Sequence, residues 1–443
     1  MRPPFPPHPL TPYPPLIVNV CMTGMVPMPD RVPHVPVRPE QIARDAFLCY
    51  EAGASIVHVH ARDDRGVPTW RPEVYGEIIP AIRERCPDLV ICVTTSGRTF
   101  TELEQRSAVL RLDGDSKPDM ASLTLGSMNF ATGPSVNAPD MIEALARAMA
   151  EEGIRPELEV FDSGMAYLAR HLADRDVLQP PFYANVMLGS VNTAPGTAEA
   201  LVHLVGSLPE GTTWAAAGLG GMQLPVNAMA VFMGGHVRTG LEDNPYYDYA
   251  SRTAATNSLL VGRVGALAAT AGRRLATPAE VRDWLDLPPA PGRRYRLRPA
   301  VLPADRKDML RVLETSNMHH IPSAEMHDFD AGFWYVAEVD SDVVGVCGWE
   351  FHEKNGELTG KTTLLTVLPE SRSLGVGRAL QELRMGMMRD AGAVKMLTNA
   401  DRPETIDWYE RHFGYRKVGV VPKVMEFGLP EADHWTTLEA PLR

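Results

Sequence analysis

Short apolar runs that are typical of buried strands alternate with segments of helical spacing from residue 16 onward. Segment 39–51 shows the helical pattern, because Ile42, Ala46 and Cys49 fall on one face and Gly53 follows as a stop. The predicted strands lie at residues 16–22, 55–60, 89–95, 119–125, 157–161, 182–188, 213–217 and 235–241. The predicted helices lie at residues 39–51, 72–85, 102–112, 139–152, 165–172, 197–206, 222–233 and 250–271.

The succession of these elements predicts an α/β fold, a TIM (β/α)8 barrel. About eight strand–helix units over roughly 270 residues match the usual size of that fold. A doubly wound open sheet is the less favoured alternative, because no glycine-rich nucleotide turn follows the first strand.

The pattern changes after residues 286–294 (DLPPAPGRR), a proline-rich stretch of the composition that separates domains. Residues 333–338 and 343–351 predict an antiparallel strand pair, and residues 361–368 a further strand that leads into a helix. The domains that we predict are a proline-rich N-terminal arm at 1–15, the barrel at 16–286, a linker at 287–294 and a second domain at 295–443.

Composition narrows the class of protein. A chain of 443 residues is too long for one ordinary domain, and 44% hydrophobic with 22% charged residues is typical of globular proteins. A net charge of −12 argues against a general affinity for nucleic acid or anionic membrane. Five cysteines without close spacing predict no zinc or redox motif, and a reducing cytoplasm is the simplest compartment. We expect neither a signal peptide nor a transmembrane segment.

Two histidines stand at the end of the second predicted strand. His58 and His60 are two residues apart, so their side chains point to the same face. Neutral imidazoles placed in this way make half of a metal site, and zinc commonly takes nitrogen and carboxylate ligands. The simpler alternative is two ordinary histidines near a strand end.

Glu242 is the candidate for a third ligand. In a closed barrel, strands eight and two both lie beside strand one, and active sites form at the carboxyl ends of the strands. Arg238, Gly240 and Glu242 would share one face of strand eight by the period of two. Two histidines and one glutamate with an open position form a catalytic zinc set. The alternative is that Glu242 belongs to a solvated turn.

Three separated motifs resemble the β-keto acid cleavage enzyme family: V-H-V-H-A-R at 57–62, P-E-L-E-V-F-D-S-G-M at 156–165 and G-G-H-V-R-T-G-L-E-D-N at 234–244. The resemblance covers about residues 16–290. It implies a TIM barrel with a divalent metal, usually zinc, on two histidines and one glutamate, which by motif are His58, His60 and Glu242. It also implies a reaction that joins a β-keto acid with acetyl-CoA to give acetoacetate and a new acyl-CoA.

The same resemblance implies further roles in the site. Asp243 is the candidate base that takes the proton from C2 of the keto acid, with Arg238 holding it or the developing charge. Glu159 and Asp162 are expected to complete a proton relay. The residues expected to contact substrate are Thr94, Thr95, Ser96, Ser127, Asn129 and Val26, although any of these hydroxyls alone is more often a turn residue.

Val26 marks a departure from the family member that acts on an aminated keto acid, whose first strand ends T-G-A-E with a glutamate for the ammonium. Here the sequence is T-G-M-V at 23–26, and Arg98 adds positive charge. We therefore expect neutral or anionic β-keto acids to be preferred over cationic ones. A metal-dependent amidohydrolase is the runner-up, but it needs further histidine ligands, and His171 and His203 fall on predicted helices.

The second domain contains R-x-x-G-x-G at a predicted strand-to-helix turn, which presents backbone N–H groups to an anion. This context, with the run at 406–415, resembles the GNAT acetyltransferases over about residues 295–443, which implies an α+β domain with a mixed, mostly antiparallel sheet. Tyr409 matches a tyrosine that protonates the departing thiolate; the alternative is core packing. The residues implied to bind acetyl-CoA are Thr366, Val367, Arg372, Gly375, Val376, Gly377, Arg378 and Asn399.

We therefore expect a bifunctional enzyme in which a zinc-dependent barrel and a GNAT domain both use acetyl-CoA. The alternative is a GNAT domain that binds acyl-CoA without catalysis. The amine acceptor is not identifiable, and Glu350, His319 and His320 are candidate bases only. We expect small-molecule substrates and assembly into a homo-oligomer.

Overall fold

The computed structural model describes residues 13–130, 133–316, 329–423, 429 and 431–442. Its chain divides into two compact units, Met1–Gly292 and Arg293–Arg443. Most of the predicted N-terminal arm lies outside the described residues. Within those residues, none of the helices is both long enough and apolar enough to cross a membrane.

The first unit contains nine helices and twelve strands among its described residues. The strands are β1 (Val18–Cys21), β2 (Ile56–Val59), β3 (Val90–Val93), β4 (Met120–Thr124), β5 (Met128–Phe130), β6 (Gly133–Ser135), β7 (Arg155–Val160), β8 (Tyr183–Leu188), β9 (Thr213–Gly218), β10 (His236–Thr239), β11 (Tyr246–Asp248) and β12 (Thr253–Ala254). The helices are α1 (Pro39–Glu51), α2 (Pro72–Arg85), α3 (Leu103–Ser107), α4 (Pro139–Glu151), α5 (Ser163–Asp174), α6 (Ala198–Ser207), α7 (Gln223–Phe232), α8 (Asn257–Thr270) and α9 (Pro278–Trp284).

Eight of these strands form a closed parallel barrel in the order β1-β10-β9-β8-β7-β4-β3-β2, which confirms the predicted fold. Strand β1 pairs with both β10 and β2, so the ends of these two strands flank it. At the amino end of the barrel, Ile56 and Tyr183 pack with Val281 of α9 and with Leu285, which directly follows that helix, in one apolar cluster. Since α9 closes that end, the site has to form at the carboxyl ends of the strands.

Two predicted helices are shorter than expected. The third is one turn of α-helix followed by a 3-10 turn at Ala108–Arg111. The eighth begins at Asn257 and not at residue 250, because Asp248 accepts hydrogen bonds from the amides of Ala250 and Ser251 and closes a turn there. The Thr256 side chain then caps α8 by accepting from the amide of Leu259.

In its described residues, the second unit is a seven-stranded sheet with helices. Its strands are β13 (Arg296–Pro299), β14 (Phe333–Val339), β15 (Asp342–Lys354), β16 (Glu357–Val367), β17 (Lys395–Ala400), β18 (Arg416–Pro422) and β19 (His434–Pro441). Its helices are α10 (Arg306–Ser316), α11 (Val376–Asp390) and α12 (Pro403–Phe413). The sheet order is β13-β14-β15-β16-β17-β19-β18, and the pairing is antiparallel except between β16 and β17. This confirms the predicted mixed, mostly antiparallel sheet.

Candidate active site

The two predicted histidines lie at the carboxyl end of β2. Their Nε2 atoms are 3.1 Å apart. Glu242 places its carboxylate oxygens 3.3 Å from Nε2 of His60 and 3.9 Å from Nε2 of His58. Both imidazoles are buried, and the Glu242 side chain is 17% exposed. The three predicted metal ligands therefore come together at one point.

The position of Glu242 does not follow from the two-residue period of a strand. Strand β10 ends at Thr239, so Glu242 lies in a turn and does not share a strand face with Arg238. A Cβ on Gly240, whose φ is +141°, would lie 2.1 Å from the carbonyl oxygen of Cys21. The chain thus crosses directly over the end of β1, and the amide of Glu242 donates to that same oxygen. Glycine is needed for so close an approach.

Glu157, which the sequence analysis missed, orients His58. Its buried carboxylate lies 2.7 Å from Nδ1 of His58 and accepts from the Asn19 amide at 2.6 Å. Burial opposes ionisation, but His58 and Arg238 lower the pKa of Glu157 to about 2. An ionised partner at Nδ1 keeps the proton on that nitrogen and turns the Nε2 lone pair toward His60 and Glu242. The period of two could have identified Glu157, because it shares a face of β7 with Glu159.

The donor set fits a divalent metal ion. Tetrahedral ligand atoms at about 2.1 Å from a zinc ion lie about 3.4 Å from one another. The separations here are 3.1 Å between the two Nε2 atoms, 3.3 Å from His60 to Oε1 of Glu242 and 3.9 Å from His58 to Oε2 of the same carboxylate. Oε2 of Glu242 is buried, and no hydrogen-bond donor reaches it within the described part of the chain. Two imidazoles and one carboxylate leave a coordination position for substrate.

His58, Cys92 and Glu157 form a second group of possible ligand atoms in the barrel core. The Cys92 thiol donates to Glu157 at 3.3 Å. Burial, with Glu157 adding to it, raises the pKa of that thiol well above its usual range. Since metals bind the thiolate, we assign this group to core hydrogen bonding.

Arg238 joins the acids of the site. Its buried guanidinium lies 3.0 Å from Glu159, 3.1 Å from Glu242 and 3.3 Å from Asp243. Burial raises the pKa of Asp243 to about 6; Arg238 opposes this rise and Glu242 adds to it. A carboxylate with such a pKa can both accept and return a proton near neutral pH. Arg238 holds this carboxylate beside the predicted ligands.

A cavity of about 240 Å³ opens next to these groups. The predicted site residues that line it are His60, Glu242, Asp243, Arg238, Glu159, Thr94, Ser96 and Val26. The cavity is also lined by residues that sequence reasoning did not assign to it, among them Met128, Phe130 and Phe161. Because Met128 and Phe130 come from the β5–β6 hairpin, which the sequence analysis did not predict, no pattern pointed to them.

Four predicted site residues take other positions. The Thr95 hydroxyl donates to the carbonyl of Ser122 at 2.6 Å, and Ser127 Oγ accepts from the amide of Asn137. Asn129 is exposed on β5 and does not line the cavity. Asp162 caps the amino end of α5 by accepting from the amide of Met165, so it does not join the acids around Arg238. Helix capping accounts for this carboxylate without a proton relay.

The histidines that an amidohydrolase would require lie elsewhere. His171 is on α5 and His203 on α6, where Nε2 of His203 contacts Ser163 Oγ at 3.1 Å. Neither belongs to a group of possible ligand atoms in the described chain.

The R-x-x-G-x-G segment of the second unit forms a turn between β16 and α11. Gly375 has a φ of +79° and precedes the helix, and a Cβ on Gly377 would lie 3.6 Å from Val367. Strands β16 and β17 pair only at residues 359–361 with 395–397. The predicted cofactor residues Thr366, Val367 and Asn399 lie beyond that paired stretch, on the same side as the turn; Val376 is buried, and Arg372 is exposed on the turn.

Tyr409 packs in the core of this unit. It is 5% exposed, and its ring lies 5.0 Å from that of Tyr415. Its hydroxyl accepts a hydrogen bond from the buried Arg384 at 3.1 Å, while Arg384 also donates to Leu364 O and to Gln381. The structure therefore supports the packing interpretation and shows which group orients the phenol oxygen.

The candidate bases of the second unit are described only in part. Glu350 accepts from His352 at 2.8 Å and lies 3.7 Å from Lys361. His319 and His320 lie outside the described residues.

Known protein families match two separate stretches of the chain. A sequence model of the beta-keto acid cleavage enzyme family matches residues 15–287, and a model of the acetyltransferase (GNAT) family matches residues 303–415. The 3-keto-5-aminohexanoate cleavage enzyme of Fusobacterium nucleatum is 40% identical over 274 residues, which are 61% of this chain and 98% of that protein. The 3-oxoadipate:acetyl-CoA acetyltransferase of Cupriavidus necator is 35% identical over 62% of this chain and 95% of its own length.

A similar fold occurs among solved structures. The apo structure of ObcA superposes with a TM-score of 0.50 at 23% identity, over 58% of this chain and 66% of the ObcA chain. At that identity the likeness concerns the barrel fold alone.

Proposed function

Since the chain belongs to the beta-keto acid cleavage enzyme family and carries a GNAT domain, we propose that it is a bifunctional enzyme. In the barrel, a β-keto acid and acetyl-CoA would react to give acetoacetate and a new acyl-CoA. This reaction would depend on a divalent metal, preferably zinc. In the second domain, acetyl-CoA would acetylate an amine whose identity the residues do not indicate. The relatives' names include an aminated and a dicarboxylic keto acid, so they leave the tail of the substrate open.

One arrangement carries the proposal for the barrel. His60 and Glu242 line the same cavity as Asp243, with His58 directly beside His60 at 3.1 Å between the Nε2 atoms, and Arg238 bonds to both acids. His58, His60 and Glu242 would hold the metal ion, which would supply Lewis-acid stabilisation of the negative charge that develops on the substrate.

The acid–base steps fall to Asp243. Its carboxylate accepts the proton from C2 of the keto acid, and C2 then attacks the acetyl carbonyl carbon and displaces the CoA thiolate. The thiolate adds to the original keto carbon, the bond between C2 and C3 breaks, and the remaining acyl group leaves on CoA. Asp243 returns its proton to C2, which completes acetoacetate. Arg238 keeps Asp243 in reach through both half-reactions, and Glu159 supports Arg238 at 3.0 Å.

A panel of β-keto acids tests the proposal for the barrel. Each is incubated with acetyl-CoA, and acetoacetate and the new acyl-CoA are measured together. We expect equal amounts of both products, because each turnover makes one of each. The absence of both products with every keto acid would contradict the proposal.

Replacing Glu157 should weaken metal binding without removing a ligand. Glu157→Gln keeps the size of the side chain but loses the charge that fixes the His58 tautomer, and we expect the metal affinity to fall about 10- to 100-fold. Competition with a chromophoric chelator measures this affinity. Glu159→Gln is the matched control on the same strand face, since Glu159 contacts Arg238 and Thr124 but neither histidine. Equal affinities in wild type and Glu157→Gln would contradict this role.

In the GNAT domain, we propose that the turn before α11 binds the pyrophosphate of acetyl-CoA through backbone N–H groups. Gly377→Ala should reduce acetyl-CoA binding there at least about tenfold, because a ligand that approaches the backbone closely leaves no room for a Cβ. A Cβ meets Val367 only at 3.6 Å, so the fold itself is not strained. Calorimetric titration of the full chain should lose one class of sites while acetoacetate formation continues.

Gly419→Ala on β18 is the control for that measurement, since a Cβ there meets nothing within 4 Å. Unchanged binding in Gly377→Ala, or equal losses in both variants, would exclude the turn as the pyrophosphate site.

A second candidate function for this domain follows from Tyr409. Because its hydroxyl is buried and bonded to Arg384, the domain could bind acyl-CoA without transferring the acyl group. Release of free CoA in the presence of amines distinguishes transfer from binding alone. If transfer occurs and Tyr409 is the acid, Tyr409→Phe should lower the rate of CoA release while acetyl-CoA binding persists.

A further inference from the structure

A second buried cation of the barrel lies outside the cluster around Arg238. Arg106, on the short helix α3, is 3% exposed. Burial lowers the pKa of Arg106 to about 10, and the charge of Glu159 opposes this shift, so the guanidinium stays ionised at neutral pH. Within the described residues it forms no ion pair, and its hydrogen bonds go to a carbonyl and to an amide. Because burying a charge is costly, the groups that it contacts indicate what it does.

The first contact of Arg106 is with the loop after β3. Its Nε donates to the carbonyl oxygen of Thr95 at 2.8 Å. The backbone at Gly97 packs directly on the same guanidinium, since a Cβ on that glycine would lie 2.7 Å from Nη1. This loop forms one wall of the cavity with Thr94, Ser96 and Arg98. Arg106 therefore fixes the backbone of this wall.

The second contact is with the loop after β4. Nη2 of Arg106 donates to Oδ1 of the buried Asn137 at 2.7 Å. The Asn137 side-chain amide donates to the carbonyl of Gly126 at 3.0 Å, and its backbone amide donates to Ser127 Oγ at 2.8 Å. These bonds join the two ends of the segment that contains the β5–β6 hairpin. The hairpin contributes Met128, Phe130 and Ser135 to a second wall of the cavity.

We propose that Arg106 is a positioning residue of the barrel site, which holds the loops after β3 and β4 together and so fixes two walls of the substrate cavity. The inference rests on the proposed function of the barrel and adds to it a residue that does not itself line the cavity. The planar guanidinium suits this role, because it can donate in two directions at once. Thr95 and Ser127, which were expected to contact substrate, belong to this connection instead.

Hydrogen exchange measures this connection without turnover. Arg106→Gln removes the guanidinium that spans both loops. We expect the backbone amides at residues 94–98 and 133–137 to exchange at least about tenfold faster than in wild type, because these segments lose their shared anchor. The amides of β1 and β7 should keep their wild-type rates. Unchanged protection of the two loops, or an equal increase throughout the barrel, would overturn the inference.

Kinetics show whether the two walls act on the substrate. Acetoacetate serves as the keto acid, because the proposed reaction would exchange its acetyl group with that of labelled acetyl-CoA, whatever the natural tail is. In Arg106→Gln we expect the KM for acetoacetate to rise about tenfold, which is the usual effect of losing one or two hydrogen bonds. The kcat should stay within about threefold, because the residues of the acid–base cluster keep their places.

Two further variants separate position from charge. Arg106→Lys keeps the charge but cannot donate to both loops with a rigid fork, so it should restore only part of the wild-type KM. Asn137→Leu removes the anchor of the second loop, and combined with Arg106→Gln it should raise the KM by less than the product of the two single effects. Full recovery in Arg106→Lys would assign the effect to charge alone and overturn the inference.

Arg282→Gln is the matched control. Arg282 is also buried, and it donates to the carbonyls of Asp88 and Leu89 at the amino end of the barrel. This variant should lose stability while the KM for acetoacetate stays close to that of wild type. An equal rise in KM would overturn the inference, because it would reflect a general loss of stability. If wild type exchanges no label, the proposed reaction fails, and hydrogen exchange alone decides whether Arg106 holds the loops.

Discussion

Glu242→Gln should empty the barrel of metal and abolish acetoacetate formation. The amide is a much weaker ligand than the carboxylate. The substitution keeps the volume of the side chain, which packs closely against Gly24. Loss of a Lewis acid worth several kcal/mol corresponds to a fall in rate of at least about 1,000-fold. Metal content by mass spectrometry and acetoacetate by enzymatic assay are measured on the same preparation.

His58→Ala should also abolish metal binding and activity, but we expect it to differ from Glu242→Gln in its effect on stability. Removing His58 takes from the buried Glu157 carboxylate its hydrogen bond to Nδ1, so this variant should also lose stability, by about 1 to 3 kcal/mol or more. Glu242→Gln should keep a melting temperature close to that of metal-free wild type. Asp243→Asn is the control, because it removes a carboxylate of the same cavity that is not a predicted ligand. One metal ion per chain in Glu242→Gln would contradict the assignment.

Acetyl-CoA labelled in its acetyl group should transfer the label to C3 and C4 of acetoacetate and leave the new acyl-CoA unlabelled. This follows if C2 of the keto acid attacks the acetyl carbonyl. Thiolysis by free CoA would instead place no acetyl carbon in a four-carbon acid. Asp243→Asn should slow the transfer about 100- to 10,000-fold and keep its metal, because the amide cannot accept the C2 proton. The positions of the label are determined by NMR.

Asp162→Asn is the matched control for the base. Asparagine caps helices about as well as aspartate, so the cap of α5 survives, and turnover should stay within about twofold as for most changes outside a site. A large loss in Asp162→Asn would restore this residue to the proton relay. Label in the acyl-CoA, or full activity in Asp243→Asn, would mean that the carbon nucleophile or the base is a different one.

Part of the site could be derived from local pattern alone. The alternation of apolar runs and helical segments predicted the barrel, and the period of two placed His58 and His60 on one side of β2. These inferences hold because strand geometry repeats every two residues and because parallel strands put their carboxyl ends together. The strand-to-helix turn at Gly375 is equally local, and its glycines could be located from the sequence.

Only the tertiary structure decided which residues distant in sequence are in contact. Glu157 lies 99 positions from His58, and closure of the barrel brings its carboxylate to Nδ1. The backbone at Gly240 passes over the end of β1, so Glu242 leaves the predicted strand face and lies beside the two histidines. Phe130 comes from a hairpin after β4 and supports Arg98 from the loop after β3.

The same distinction explains which expectations failed. Asp162 and Asp243 both follow a predicted strand in an acidic motif, and the sequence assigned a proton-transfer role to each. In the structure the backbone turns into α5 directly after Asp162, which gives its carboxylate the amide of Met165, whereas the turn after β10 leaves Asp243 beside Arg238. The sequence by itself determined the strand order and the residue types available at the open end of the barrel. Which of these residues face the cavity depended on the turn that each loop takes. The turn decides which hydrogen-bond partners lie within reach of a polar side chain, because buried polar groups are nearly always paired.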